Sequence, residues 1–350
     1  HESVSLDEAR DKLRQGMYVM IRQGSSEKNL DALLPLVTDK TYKRCLFVVD
    51  DRSCVDLLRD GDIDAVVRKA IHSGLDPVRA IQMTTINAAE YFRLDRLGAI
   101  APGYMANLIV IGNLSSLPID MVFYRGRLVA RQGTPLFPLY QSSAGGLTGT
   151  VNIKPFNIES LRLLASGETE PIIELVPGQI ITKKRMERVK AAHGVIAPDI
   201  SRDILKLVVV ERHKATGNIG LGLVTGFSLK RGALASSIAH DSHNIIAVGT
   251  NDEDIFTAIK EIERLRGGLV IAAGGKVLAS LALPIAGLLS DEPLEIVVSK
   301  LEKLERLAMD LGTALPSPFA TLSFLALPVI PELRLTDLGL VDVNEFRLIR

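Results

Sequence analysis

RCLFVVDD, residues 44–51, is a short apolar run that ends on two acidic residues. A run of this length with an uninterrupted apolar middle predicts a strand buried on both faces, as in the parallel sheets of α/β proteins. Asp50 and Asp51 then stand at the carboxyl end of that strand. Barrel enzymes keep catalytic groups at this end, although the same acids also suit a structural helix or loop cap.

Helices are predicted on both sides of the strand. The first begins at Ser5, which fits a capping box with Glu8, and its apolar spacing continues to Ile21. A second is predicted within 27–37, where Pro35 can end it early.

Three helical segments follow the strand. One runs from Asp62 or Asp64 to Gly74, another begins at Asp76, and a third is capped by Thr85. The order helix, helix, strand, helix, helix fits the last units of an α/β barrel. Because a whole (β/α)8 barrel takes about 250 residues, we expect the front of the barrel to lie outside this chain.

Past the helices the pattern changes to β. Residues 98–133 hold short strands divided by Pro-Gly and Arg-Gly turns, and 133–150 are rich in Gly, Ser, Thr and Pro, as linkers are. The predicted domains are barrel units over 1–95, a small β domain over 96–140, a linker over 141–170 and an α+β domain over 171–350.

Composition restricts the kinds of partner. Of 350 residues, 41 are Lys or Arg and 41 are Asp or Glu, so the chain has no electrostatic footprint for nucleic acid. A small ligand or another protein is the expected partner. Two cysteines outside any C-x-x-C spacing, and a start that does not read as a signal peptide, indicate a reduced, cytoplasmic protein.

The most apolar segment, 267–289, carries a single charge. Gly274 and Gly275 lie in its middle and Pro284 near its end, and these residues are poor choices for a membrane helix. Two β-rich runs around a Gly-Gly pair predict a buried hairpin instead, so no membrane association is expected.

Histidines occur close together in the C-terminal domain. The segment 211–244 contains His213, His240 and His243 among small and polar residues. Its glycines are not followed by G-K-S/T, which excludes a P-loop and indicates tight turns at 217, 220, 222 and 226. On a strand His240 and His243 would face opposite ways, so their joint use requires a turn or a helix start. A structural turn and a functional one remain equally open.

Several stretches resemble the C-terminal portion of the bacterial-type adenine deaminases of the amidohydrolase superfamily. The resemblance covers essentially the whole chain, and LGAIAPGYMANLIVIG (97–112) is common to many amidohydrolases, although Asn107 stands where Asp is usual. The other matching stretches are HESVSLDEARDKLRQGMYVMIRQGS (1–25), FVVDDR (47–52), RKAIHSGLDPVRAIQMTTINAAEYF (68–92), VVERHKATGNIGLGLVTGFSLKRGALASSIAHDSHNIIAVG (209–249) and LALPIAGLLSD (281–291). Of these, the block from ERH at 211–213 to AHDSHN at 239–244 looks specific to adenine deaminases.

The resemblance implies a metal-dependent (β/α)8 barrel, a small β-sandwich over 96–140 and an α+β C-terminal domain. It implies hydrolytic deamination of adenine to hypoxanthine and ammonia, a step of purine salvage, at a binuclear site that holds Mn²⁺ or Fe²⁺, with Zn²⁺ as an alternative. A homodimer is expected. A divalent metal lowers the pKa of bound water toward neutrality and so produces the attacking hydroxide.

Site residues follow from the same resemblance. His1 matches a metal-ligand histidine of the sixth barrel strand, and Asp50 matches the acid after the eighth strand, which binds metal and moves the proton. Asp51 is the candidate for this role instead of Asp50 if the alignment with the family's motif is shifted by one residue. The family's H-x-H, bridging carboxylate and fifth-strand histidine have no counterpart here, and we expect them in a segment before His1.

His240, Asp241 and His243 are interpreted as substrate-side residues. We expect their loop to reach over the barrel mouth and help bind the purine, rather than to form a primary metal site.

Two other interpretations remain. Amidohydrolases that act on hydantoin, dihydroorotate or N-acyl amino acids share the barrel and the Pro-Gly motif, but do not need the long C-terminal block. A truncated, non-catalytic fragment that binds purine or a protein partner would also explain the absent front of the barrel.

Overall fold

The chain forms two compact units, His1–Ser142 and Ser143–Arg350, in a computed structural model that describes residues 1–25, 27–138 and 145–349. The beginning of the predicted linker, 141–144, falls outside the described residues. The finer domain bounds remain predictions.

The first unit combines helices with two small sheets. Its helices are α1 (Leu6–Arg14), α2 (Leu30–Leu33), α3 (Cys54–Arg59), α4 (Ile63–His72), α5 (Pro77–Thr84) and α6 (Ile86–Tyr91). Its strands are β1 (Val19–Arg22), β2 (Cys45–Val48), β3 (Leu108–Ile111), β4 (Ile119–Tyr124), β5 (Arg127–Arg131) and β6 (Thr134–Pro135). Strands β1 and β2 are parallel, and β3 to β6 form an antiparallel meander in sequence order.

The core of this unit lies between the parallel strands and the helices. Ile21 on β1 and Cys45 on β2 are fully buried against apolar side chains of α2, α4 and α5. Helix α4 contributes Val66, Val67 and Ala70, whose spacing places them on one face of the helix. The predicted buried strand within 44–51 is confirmed as β2.

The prediction that the first helix continues to Ile21 is wrong. Helix α1 ends at Arg14, and the four residues Val19–Arg22 form β1. A run as short as VMIR fits both the helical period of 3.6 residues and the strand period of two. Only its pairing with β2 shows that it is a strand. The second predicted helix is also shorter, because a 3₁₀ turn at Leu34–Leu36, which contains Pro35, follows α2.

The predicted cap at Ser5 is confirmed, because its side chain accepts the Glu8 N–H. The predicted start of a helix at Asp76 and Pro77 is also confirmed, and the Asp76 side chain accepts the Arg79 N–H. Thr85 precedes α6, but its hydroxyl donates to the Ile81 carbonyl and does not cap the helix.

The second unit is built on one large sheet. Its strands are β7 (Thr169–Leu175), β8 (Thr182–Arg188), β9 (Ala191–Ala192), β10 (Val195–Ile196), β11 (Leu205–Val210), β12 (Ile219–Thr225), β13 (Ala233–Ser236), β14 (Ile245–Gly249), β15 (Gly268–Ala273), β16 (Lys276–Ala282), β17 (Leu333–Thr336), β18 (Gly339–Asp342) and β19 (Arg347–Leu348). Its helices are α7 (Asp252–Leu265), α8 (Leu294–Asp310) and α9 (Pro318–Phe324).

Eight strands of this unit form a mixed sheet in the order β16-β15-β13-β14-β11-β12-β7-β8. Only the β12–β7 pair is parallel within it. Helix α7 packs on β13, β14 and β15, where Ile255, Ile259 and Ile262 are fully buried. The three-stranded sheet β17-β18-β19 contacts β11 and β12.

The predicted hairpin within 267–289 is confirmed. Strands β15 and β16 are antiparallel, and Gly274 and Gly275 make the turn with φ of 62° and 68°. Both values favour glycine and match a type I′ turn. None of the helices in the described part of the chain has the length and apolar character needed to cross a membrane.

Two of the four glycines predicted to form turns lie within a strand. Gly220 and Gly222 belong to β12, which the β17–β18 hairpin covers closely. A Cβ on Gly220 would overlap the Thr336 carbonyl, and one on Gly222 would lie 3.3 Å from Leu340 Cδ2. These glycines therefore permit close packing, and the prediction of turns there is wrong.

Candidate functional site

Asp50 lies beside His1 in the first unit. It stands two residues beyond β2 with a φ of 55°, a left-handed conformation that is uncommon for residues other than glycine. His1 Nε2 is 3.9 Å from Asp50 Oδ1 and 2.9 Å from Glu2 Oε1. The side chains of His1 and Asp50 are 44% and 38% exposed, so a ligand can reach both.

A buried arginine holds this group of side chains together. Arg22, the last residue of β1, has a side chain that is 6% exposed, and its Nη1 is 2.9 Å from Asp50 Oδ2. The same atom is 3.4 Å from Glu2 Oε1, and Nη2 is 3.4 Å from Glu27 Oε2. Arg22 is not identified from the sequence, because the pattern there predicts a helix that continues to Ile21 where the structure has the strand Val19–Arg22. Recognised as a strand parallel to β2, that segment ends beside the end of the neighbouring strand.

Asp51 occupies a different environment. Its Oδ1 is buried, and its carboxylate lies so close to Gly24 that a Cβ on Gly24 would overlap it. Of the two candidate acids, Asp50 is therefore the one that the structure places next to His1.

Imidazole and carboxylate suit manganese, iron or zinc. Two ligand atoms at about 2.1 Å from one ion and at bond angles of about 90–110° lie about 3.0–3.4 Å apart. The 3.9 Å between His1 and Asp50 is slightly longer, and a small side-chain rotation would close it. Within 1–25, 27–138 and 145–349, no three His, Cys, Asp or Glu side chains are grouped to hold a metal ion. His1 and Asp50 thus fit part of a metal shell.

In the second unit, His240 and His243 lie in the turn between β13 and β14. Their ring centroids are 5.6 Å apart, and His240 stacks on Phe324 at 4.7 Å with an interplanar angle of 25°. The turn therefore brings both rings together, as their joint use requires. Asp241 Oδ1 is 4.0 Å from His240 Nδ1, and its side chain is 82% exposed.

Hydrogen bonds to the backbone fix the state of His243. The ring Nδ1 of His243 accepts the Ala239 N–H at 3.3 Å, and the backbone N–H of His243 donates to the Ala239 carbonyl at 2.5 Å. Burial lowers the pKa of His243, and so do the nearby side chains of His240 and Arg212. A neutral imidazole whose Nδ1 accepts carries its proton on Nε2, so His243 offers Nε2–H as a donor.

The ERH motif at 211–213 supports this turn. His213 Nε2 donates to the Ser242 carbonyl at 2.7 Å. Glu211 accepts the backbone N–H groups of His213, Lys214 and Thr216 at 2.5, 2.8 and 2.9 Å. Burial alone would raise the pKa of Glu211, but these three donors lower it overall. The sequence prediction did not assign a role to Glu211 or His213, although both belong to the same motif-rich segment.

Two family profiles match the chain. The amidohydrolase family matches residues 4–129, and the adenine deaminase C-terminal domain matches residues 179–347. An amidohydrolase domain implies a fold of the (β/α)8 barrel type, which the parallel β1–β2 pair and its helices fit.

Curated proteins of high identity match over the whole chain. An adenine deaminase of Dehalococcoides mccartyi is 62% identical over 349 residues, which are 100% of this chain and 61% of that protein. An adenine deaminase 2 of Carboxydothermus hydrogenoformans is 48% identical over 350 residues, covering 100% and 61%. An adenine deaminase of Halalkalibacterium halodurans is 47% identical over 353 residues, covering 100% and 60%. The chain thus spans about three fifths of the length of these relatives.

Proposed function

The chain belongs to the adenine deaminase family of the amidohydrolases, and from this we propose that the protein converts adenine and water to hypoxanthine and ammonia. The observation that carries the proposal is the 3.9 Å approach of His1 Nε2 to Asp50 Oδ1 beside the buried Arg22. In this proposal β1, β2 and their helices are the last units of a (β/α)8 barrel. Strands β3 to β6 then belong to a small β-sandwich, and the second unit is an α+β domain.

A binuclear centre of Mn²⁺ or Fe²⁺, with Zn²⁺ as the alternative, is the proposed cofactor. When bound, such metals make hydroxide available at neutral pH. His1 and Asp50 of this chain would hold one of the ions, and the remaining ligands would come from the part of the longer protein that this chain does not include.

Asp50 is proposed to move the proton. Water adds to C6 of the purine, and the bond from C6 to the amino nitrogen then breaks. A carboxylate that takes the proton from the water can return it to the departing amine. Arg22 orients this carboxylate by binding Oδ2, which leaves Oδ1 on the side of His1.

We propose that the His240–His243 turn binds the purine. Adenine has ring nitrogens that accept hydrogen bonds, and His243 offers an Nε2–H donor. His240 presents an aromatic ring that is 36% exposed, on which a purine can stack. Asp241, at the tip of the turn, is proposed to contribute to the same binding.

The protein is proposed to be a homodimer. It is also proposed to act in purine salvage in the cytoplasm. The first unit supports an association that covers apolar side chains, because Ile100 is 89% exposed, Phe92 58% and Ile109 54%. Light scattering of the purified full-length protein tests the dimer.

The activity is tested with the full-length protein by following adenine and hypoxanthine through their ultraviolet absorbance. We expect turnover with added Mn²⁺ or Fe²⁺, and we expect Asp50→Asn to lose it by at least about 10³-fold, as when a group that both binds metal and moves the proton is removed. Asp51→Asn is the neighbouring comparison. Full activity of Asp50→Asn together with loss in Asp51→Asn would transfer the role to Asp51.

The role of the turn is tested separately. Replacing His240 and His243 with alanine should raise KM for adenine or lower kcat while the metal content stays the same. Unchanged kinetics would reject purine binding by the turn.

Deamination of adenine with no hydrolysis of hydantoin, dihydroorotate or N-acyl amino acids excludes the related hydrolases. Purine binding without ammonia release by the metal-loaded full-length protein would instead indicate a non-catalytic binding protein.

A further inference from the structure

Arg212 is a buried cation that joins two loops of the second unit. Its residue is 1% exposed, just beyond β11. Its Nε donates to the His243 carbonyl, and its Nη2 donates to the Ala286 carbonyl at 3.1 Å. One planar guanidinium therefore binds both the histidine turn and the segment after β16.

The adjacent acid, Glu211, attracts this guanidinium electrostatically but forms no ion pair with it. Arg212 forms no ion pair within the described ranges, and its Nη1 is buried there without a hydrogen-bond partner. The carboxylate oxygens of Glu211 instead accept the backbone N–H groups of His213, Lys214 and Thr216. A buried cation in this state destabilises the fold relative to an apolar side chain of the same volume, so packing alone does not account for it.

The loop after β16 is shaped around the same side chain. Gly287 has a φ of 71°, and a Cβ on it would lie 2.5 Å from Nη1 of Arg212. The Gly287 carbonyl accepts the Ser237 hydroxyl at 2.6 Å, which fixes the loop from its other side. Only a residue without a side chain lets the loop approach the guanidinium this closely.

The backbone of Arg212 holds the far end of the turn. Its N–H donates to Asn244 Oδ1 at 3.4 Å, and Asn244 Nδ2 donates to Asp337 Oδ1 at 3.1 Å. Residues 243 and 244 are thus both fixed by Arg212, one through the side chain and the other through the backbone. With these two residues fixed, the hydrogen bond from the Ala239 N–H to His243 Nδ1 sets the orientation of the imidazole.

We propose that Arg212 is a positioning residue that holds the His240–His243 turn in the conformation where His243 is an Nε2–H donor. The proposal rests on the proposed role of this turn in purine binding. Arg212 acts through the His243 carbonyl and does not touch the substrate. Lysine keeps the charge, but its single ammonium lacks the two-pronged geometry that reaches His243 and Ala286 together.

The test compares Arg212→Lys with Arg264→Lys in the full-length protein. Arg264 is an exposed arginine of the same unit that pairs with Glu261, and its replacement should change nothing. We expect Arg212→Lys to raise KM for adenine about tenfold or more, as when a supporting residue misplaces a binding group, with unchanged metal content. In ¹⁵N spectra of the histidine rings, the unprotonated Nδ1 signal of His243 should be lost to tautomer averaging.

A second variant covers the case in which Arg212→Lys does not fold. Gly287→Ala keeps the arginine but displaces its guanidinium, and it should produce the same rise in KM and the same change in the His243 spectrum. Wild-type KM and tautomer in either folded variant would overturn the positioning role. If His243→Ala leaves KM unchanged, the binding role of the turn fails, and the His243 spectrum of the Arg212 variant still decides whether Arg212 positions it.

Discussion

Arg22 Nη1 lies 2.9 Å from Asp50 Oδ2, so a buried guanidinium at the end of β1 anchors the acid that follows β2. The two strands are parallel neighbours, and their ends therefore meet at one edge of the sheet. Because Asp50 is 38% exposed and the Arg22 side chain only 6%, the arginine lies beneath the acid and orients it from the protein side.

Arg22→Met should weaken both the fold and the metal site. Removing hydrogen bonds to charged partners costs about 2 kcal/mol of unfolding free energy. The loss of a residue that orients a metal ligand lowers metal affinity about 10–100-fold. Urea unfolding and metal titration of the full-length protein measure the two effects. Arg14→Met is the control, since Arg14 and its partner Asp11 are 69% and 70% exposed and such pairs contribute less than about 1 kcal/mol. Equal effects of the two variants would contradict the anchoring role.

The sequence was sufficient to predict β2 and to place Asp50 beyond its end, because a short, uninterrupted apolar run that stops on two acids fits a buried strand. It left open whether the acids are functional or form a helix or loop cap. It was insufficient for β1, since VMIR is too short for its period to decide between helix and strand. Because β1 was not recognised as a strand, the contact between Arg22 and Asp50 could not be predicted. Choosing between Asp50 and Asp51 also required the structure, because only the backbone beyond β2 shows which carboxylate lies next to His1.

The spacing of His240 and His243 left a turn or a helix start open for their joint use, and the side chains that support the turn could not be predicted at all. Phe324 and Ala286 are distant in sequence from His240 and His243, and they meet the turn only through the packing of α9 and the loop after β16. Arg212 lies in a motif-rich segment, yet nothing in the sequence shows that its guanidinium is buried and forms no ion pair with the described residues.

The two cysteines should differ sharply in reactivity. Cys45 on β2 is fully buried, and burial raises the pKa of its thiol to about 12. At pH 8 its thiolate fraction is then about 1 in 10⁴, too small for attack on a disulfide reagent. Cys54 is partly exposed. We expect one thiol to react rapidly with Ellman's reagent in the folded protein and the second only in denaturant.

Cys54→Ser should abolish the rapid reaction, whereas Cys45→Ser should leave it intact. Rapid reaction of both thiols in the folded state would show that β2 is accessible to solvent.

Gly220→Ala should destabilise the second unit by about 2–3 kcal/mol, because the added methyl group would overlap the Thr336 carbonyl and push the β17–β18 hairpin off β12. Chemical denaturation monitored by circular dichroism measures the change. Gly167→Ala is the matched control, since the atom nearest to its added Cβ would be 3.9 Å away and the expected effect is within about 0.5 kcal/mol. A Gly220 variant as stable as the control would mean that the hairpin does not pack on β12 in solution.

The second unit should lose stability in mild acid through His243. Burial lowers the pKa of His243 below its ordinary 6.5, and the charges of His240, Arg212 and His213 act in the same direction, against Asp241. The unfolded chain then binds a proton at about pH 6.5 that the folded state still rejects, so unfolding is favoured as the pH falls below that value. The stability due to neutral His243 is complete above pH 6.5 and is lost between this value and the lower pKa of the folded state.

His243→Asn isolates this contribution from the other histidines. Asparagine Oδ1 can accept the Ala239 N–H in place of Nδ1, but it does not titrate. We therefore expect the unfolding free energy of the wild type to decline more steeply than that of the variant from pH 7.5 to 5.5, with the difference developing below pH 6.5. Parallel curves for the two proteins would show that His243 protonates equally well in the folded and unfolded states, and that the Nδ1 contact does not hold it neutral.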